Sequence, residues 1–139
     1  MKRRGIGRGR PIIAAGGLLV MLGSVLPWWT IGGTVTPRLT GNAFDGIGVV
    51  AFICAVLMIA LVVLPYATQS GQASIDRPLS YLILATLAVS AFAVRALEIQ
   101  TIAGVGLPQQ TPGLWLTGVG LGVIVWGVGE LLAERAAAR

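Results

Sequence analysis

The chain has no histidine, one cysteine and one lysine among its 139 residues, and each shortage closes off a branch of chemistry. Without histidine, the usual ligands of zinc, copper and non-haem iron and the axial ligands of a membrane haem are missing. Cys54 alone forms neither an intramolecular disulfide nor a CxxC redox pair, which excludes the thiol oxidoreductases built on cysteine pairs. Lys2 is the only lysine, so no Schiff base forms within an apolar span. Acids are equally scarce. Asp45, Asp76, Glu98, Glu130 and Glu134 are too scattered to supply paired metal ligands or a nucleophile with its base. The expectation is a chain that is not an enzyme and carries no cofactor, with bound lipid as the ligand its surface would accept.

Charge as a whole is thin. Only 11% of the residues are charged, against 55% hydrophobic and a mean hydropathy of +0.86. A water-soluble domain would carry about 25% charged residues, and a disordered chain would be poor in apolar ones. What remains is a membrane protein.

A bilayer core about 30 Å thick takes roughly 20 apolar residues of helix. Four windows satisfy this, at 11–29, 46–66, 79–99 and 114–133, and none holds a charge near its centre. The predicted fold is all-α: a four-transmembrane-helix bundle of two helical hairpins, each with a longer outer loop. Residues 1–10 form a basic tail, 11–133 the transmembrane domain and 134–139 the C-terminus. Pro11 suits a first helical turn, Asp45 is expected to cap the second span, and Thr111 before Pro112 to cap the fourth. Pro27 and Pro65 are expected to close the first two spans. Trp28, Trp29, Tyr66 and Trp115 read as membrane-interface anchors, because an apolar ring with one polar edge is satisfied by both phases.

Basic residues set the orientation. Lys2, Arg3, Arg4, Arg8, Arg10, Arg77, Arg135 and Arg139 fall on one side and only Arg38 and Arg95 on the other, which places both termini in the cytoplasm. A cleaved signal peptide is the competing reading of the start, but the first span ends in SVLPWW without a small-x-small cleavage pattern. The tail is a topology signal in the first place, and attraction to anionic headgroups is a second reading. Nine of the ten basic residues are arginine, a bias that fits a GC-rich bacterial genome and hence a multi-pass protein of a bacterial plasma membrane.

Between the spans, the outer loop at 30–44 is rich in Thr and Gly and compatible with a small hairpin. The outer loop at 100–113 is apolar, and the inner link at 67–78 is short and polar. In lipid, helices associate where small residues let backbones approach. On a helical wheel Gly118, Gly122 and Gly129 fall within about 40° of one another, while Gly120 and Gly127 form a second stripe nearly opposite. Ala88 and Ala91 share a side with Arg95, and Ala51 and Ala55 have GxxxG-like spacing. One face of the fourth span is then free for a neighbouring subunit, although glycine is also simply common in membrane helices.

Polar groups at depth are few. Arg95 and Glu98 lie near the outer interface, where snorkelling or a local i,i+3 pair accounts for them; the sharper reading is contact with a lipid phosphate or an acidic group of a partner. Trp126 sits mid-span and needs an acceptor for its indole N–H. Core packing is its plain reading, and a contact surface for protein, lipid or pigment the sharper one.

The LPWW that ends the first span, the GNAFDG before the second and the PGLWLTGVGLG that opens the fourth resemble small four-helix membrane proteins of unknown function from actinobacteria and other high-GC bacteria. That resemblance implies a four-span fold and brings no activity or site residues with it. The functional expectation is a non-catalytic accessory or assembly subunit, packing through Gly118, Gly122, Gly129, Gly120, Gly127 and Trp126 against larger subunits of a membrane complex. No nucleic-acid partner is expected. The alternative, a small oligomeric transporter or channel, would have to move protons through Glu98 or Glu130, both near an interface.

Overall fold

The structure is a computed structural model that describes residues 7–67, 78–103 and 111–137. Lys2, Arg3, Arg4, Asp76, Arg77, Arg139, most of the inner link and the middle of the second outer loop lie outside the described residues. Four helices dominate: α1 (Gly9–Val25), α2 (Val49–Ala67), α3 (Pro78–Ala103) and α4 (Pro112–Ala137). By length and composition α2, α3 and α4 are long and apolar enough to cross a membrane, whereas α1, at 17 residues, is shorter.

The helices form a ring. α1 packs against α4 and α2, and α3 closes the circle between α2 and α4; the α1–α4 seam is the most extensive and the α3–α4 junction the thinnest. The central core joins Ile13 and Val20 of α1, Ala51, Cys54, Ala55 and Met58 of α2, Tyr81, Ala85 and Ala88 of α3, and Leu121, Ile124, Val128 and Leu131 of α4. Ala51 and Ala55 of α2 and Ala85, Ala88 and Ala91 of α3 are all buried, which permits close approach where side-chain volume would hold the helices apart.

α1 ends earlier than the apolar window suggests. Leu26 is already extended, and Pro27 cannot continue the ladder, so Trp28 and Trp29 leave the helix and start a hairpin. Strands β1 (Trp29–Ile31) and β2 (Leu39–Gly41) pair antiparallel, with Thr30 opposite Thr40. Gly32 and Gly33 both adopt positive φ, 83° and 120°, as the chain leaves β1. A side chain at either position would be strained. The expected hairpin in the first outer loop is therefore present.

Asp45 does not cap α2. It lies in a 3-10 turn (Ala43–Asp45) that it closes back upon itself: Asn42 accepts from the Phe44 N–H, and Asp45 Oδ2 accepts from the Asn42 N–H at 2.7 Å. α2 starts four residues later. Its first N–H groups are met by backbone alone, Val49 to Gly46, Val50 to Ile47 and Ala51 to Gly48. Pro65 does not end α2 either; it sits within the last described turn, where the loss of one helical hydrogen bond matters little. α3 continues through residues 100–103, expected in the outer loop, and α4 runs on to Ala137.

Candidate functional site

The α1–α4 seam is a glycine zipper with a seven-residue period on both helices. α1 contributes Gly9, Gly16 and Gly23; α4 contributes Gly113, Gly120 and Gly127, running the opposite way. A Cβ on Gly16 would lie 2.8 Å from the Gly120 carbonyl oxygen. One on Gly120 would lie 2.8 Å from the Val20 nitrogen, and one on Gly9 2.8 Å from the Gly127 oxygen. Backbone meets backbone at three levels over about 21 Å of helix. A seven-residue repeat keeps such a seam facing its partner when two helices wind left-handedly. The glycines of α1 add to the packing set expected on the fourth span alone. Their signal, a glycine every seventh residue, is present in the sequence, but on a segment about a hundred residues from its partner, so neither stripe by itself names the other.

The opposite face of α4 is open. A Cβ on Gly118 would meet the Phe92 ring edge at 3.3 Å, but one on Gly122 or Gly129 would meet nothing within 4 Å. Trp126 lies on this face, 65% exposed, so it is not a core residue; its Nε1 donates to Glu130 Oε1 at 3.2 Å, an acceptor on its own helix. Trp115 is exposed on the same side about 16 Å away along the helix and borders a groove of about 370 Å³ between α3 and α4, lined by Phe92, Ala96, Leu114, Trp115, Gly118 and Val119. Gly120 and Gly127, expected to form one of two alternative packing faces, are wholly engaged by α1.

The end of the bundle away from both termini, the outer end in the expected orientation, is organised by Trp28. Rather than facing lipid as an interface anchor, its ring is fully buried, a correction that follows from its backbone leaving α1 toward the bundle. Its Nε1 donates to the Gly23 carbonyl oxygen at 2.9 Å, and its ring meets Phe92 edge to face. Gly113 at the start of α4 donates its N–H to the Pro27 carbonyl oxygen, so the turn after α1 satisfies a donor that the beginning of α4 leaves free. Trp29 is half-buried beside Gly41, while Tyr66 is exposed at the inner end. Thr111 directly precedes α4, as expected of a capping position, and is buried.

Arg95 and Glu98 form the i,i+3 pair, Nη1 to Oε2 at 2.9 Å, but the arginine does not snorkel. It is buried against Gly46, where a Cβ would lie 3.0 Å from its guanidinium carbon, while Glu98 is half exposed. A flat cation over a glycine ties the outer end of α3 to the approach of α2. Its Nε has no hydrogen-bond partner among the described residues.

At the inner end, Glu134 of α4 accepts from the Arg8 backbone N–H at 2.7 Å, just before α1 begins. Tyr81, which no local pattern sets apart from apolar filler, is fully buried, and its hydroxyl has no hydrogen-bond partner among the described residues. Among the described residues no three of His, Cys, Asp and Glu gather into a group that would hold a metal ion. No family model matches this chain, and neither a curated protein nor a solved structure matches it.

Proposed function

We propose that this chain is a four-pass accessory subunit of a bacterial plasma-membrane complex, with both termini in the cytoplasm, and that the open face of α4 docks a larger membrane subunit. The observation that carries the reading is the pair Gly122 and Gly129: helical glycines whose added Cβ would meet nothing among the described residues, on the face that also carries the exposed Trp115 and Trp126. A glycine within a helix costs up to about 1 kcal/mol relative to alanine. Close backbone approach by a second helix is the usual gain that offsets this in lipid, where burial of apolar surface supplies no drive.

Support for a fourth crossing comes from α1's neighbour. Although short, α1 lies antiparallel along α4 from Gly127 to Gly113, so whatever depth α4 spans, α1 largely shares. Leu26 and the buried Trp28 extend the apolar path past the helix end, and a short hydrophobic helix is accommodated at modest cost. The eight-to-two distribution of basic residues supports the orientation.

The test is purification from the native membrane in mild detergent, with mass spectrometry of what co-purifies. Stoichiometric recovery of larger membrane subunits is expected, weakened at least tenfold by Gly122→Leu while the variant itself remains folded. Recovery of the chain alone, or a Gly122→Leu variant that keeps its partners, overturns the reading.

A further inference from the structure

The hairpin that follows α1 is amphipathic. Side chains alternate across a strand, so with Trp29 opposite Gly41 and Ile31 opposite Leu39, one face carries Trp29, Ile31 and Leu39 and the other Thr30 and Thr40. At the base of the first face, Trp29 packs against the cluster of Trp28, Ala43, Ile99 and Leu114, so this is the face turned toward the bundle. Farther out the same face is open, with Ile31 45% and Leu39 61% exposed. The depth of the hairpin follows from α1. Arg8 and Arg10 flank the first turn of α1, which sets that turn at headgroup level. The 17 residues of α1 rise about 25 Å, less than the roughly 30 Å of a hydrocarbon core. Leu26, Pro27 and Trp28 add at most about 10 Å, so β1 starts close to the far boundary of the core, within the headgroup layer and not out in water. Its edges bar it from going deeper. A two-stranded sheet leaves backbone N–H and C=O groups unpaired along both outer edges, and these need water or headgroups.

We propose that the hairpin is a membrane-surface element, lying in the headgroup layer at the end of the bundle away from both termini, with Ile31 and Leu39 in contact with lipid and Thr40 facing water. The partner is the phospholipid interface itself. The contacting side chains are apolar, so zwitterionic lipid suffices and anionic headgroups add nothing. Docking there makes up the length that α1 lacks, because apolar side chains of the hairpin cover the bilayer where it would otherwise thin around a short helix. The proposal rests on the bundle crossing the bilayer and is independent of the docking of a subunit on α4.

The experiment uses the full chain reconstituted in phosphatidylcholine vesicles, with a nitroxide label on Ile31→Cys, Leu39→Cys or Thr40→Cys. All three side chains are exposed, and the wild-type chain, whose single cysteine is buried, is the labelling blank. Electron paramagnetic resonance then reads collisions with oxygen, which concentrates in lipid, and with a neutral nickel chelate, which stays in water. The oxygen-to-nickel ratio at 31 and 39 is expected to exceed that at 40 about threefold or more, since apolar depth favours one reagent and excludes the other. Mixing phosphatidylglycerol into the vesicles should leave the ratios unchanged. Equal ratios at all three positions overturn the proposal, because the hairpin then stands in water. Few collisions with either reagent at 31 and 39 also overturn it and identify protein as the cover. Should the nitroxide itself disturb the hairpin, the unlabelled cysteines decide: reaction with a water-soluble maleimide is expected to be about fivefold slower at 31 and 39 than at 40, because the thiolate forms only where water reaches it. Equal rates overturn the proposal.

Discussion

Gly113, Gly120 and Gly127 lie seven residues apart on α4, and a Cβ on any of them would strike α1; Gly122 and Gly129, also seven apart on the same helix, would place one in open space. Both sets weaken the helix to the same degree, since the cost of glycine is local. Only the first set gains from the fold. Its glycines admit α1 to backbone contact distance and make the α1–α4 seam the most extensive in the bundle. The second set is either wasted or reserved for another chain, and that contrast motivates the docking proposal.

The sharpest way to break the comparison is to put the same side chain on both faces. Gly120→Leu forces a branched side chain against the Val20 nitrogen and Gly16 oxygen, backbone atoms with nowhere to go. We expect a loss of about 3 kcal/mol or more, seen as a collapsed thermal midpoint or failure to purify as a single species. Gly122→Leu should change the stability by no more than about 0.5 kcal/mol, the range of a surface substitution. Similar losses from both would show that the open face is packed in the folded chain.

Tryptophan gives a second contrast, expected to be nearly as large. Trp28→Ala removes a buried ring, its bond to the Gly23 oxygen and its contact with Phe92, and should cost about 3 kcal/mol or more, measured by thermal unfolding. Trp126→Ala removes an exposed ring with one bond to Glu130 and should cost less than about 1 kcal/mol in the isolated protein. Opposite in sign, Gly129→Ala should raise the stability, by up to about 1 kcal/mol, because alanine is the better helix former and its Cβ meets nothing. A destabilising Gly129→Ala would mean the face is already occupied, by lipid or by another copy, in the purified protein.

Much of this architecture is legible in the amino-acid sequence. The four apolar windows correspond to the four helices, the Thr- and Gly-rich loop to a hairpin, and the fourth span's two glycine stripes to one sealed and one open face. Where residue type misleads, the cause is a neighbour. Trp28 has the position of a surface anchor, since a tryptophan after an apolar run commonly is one; it is interior because Pro27 breaks the helix and turns the ring inward beside Gly23. Asp45 has the residue type of a helix cap, but Asn42, three residues earlier, uses it to close a separate turn. Tyr81 gives no sign, since nothing local distinguishes a buried phenol from an apolar filler.

Composition and periodicity alone determined that the chain is apolar and helical, because the length of an apolar run and the scarcity of charge are properties of the chain read in one direction. Tertiary structure decided which glycine stripe is spent and which is left over, and where the polar groups at the two ends come to rest. The reason is physical: a glycine specifies only that something can come close. What does come close, Gly16 against Gly120 or nothing at all against Gly122, depends on the register of a second helix about a hundred residues away.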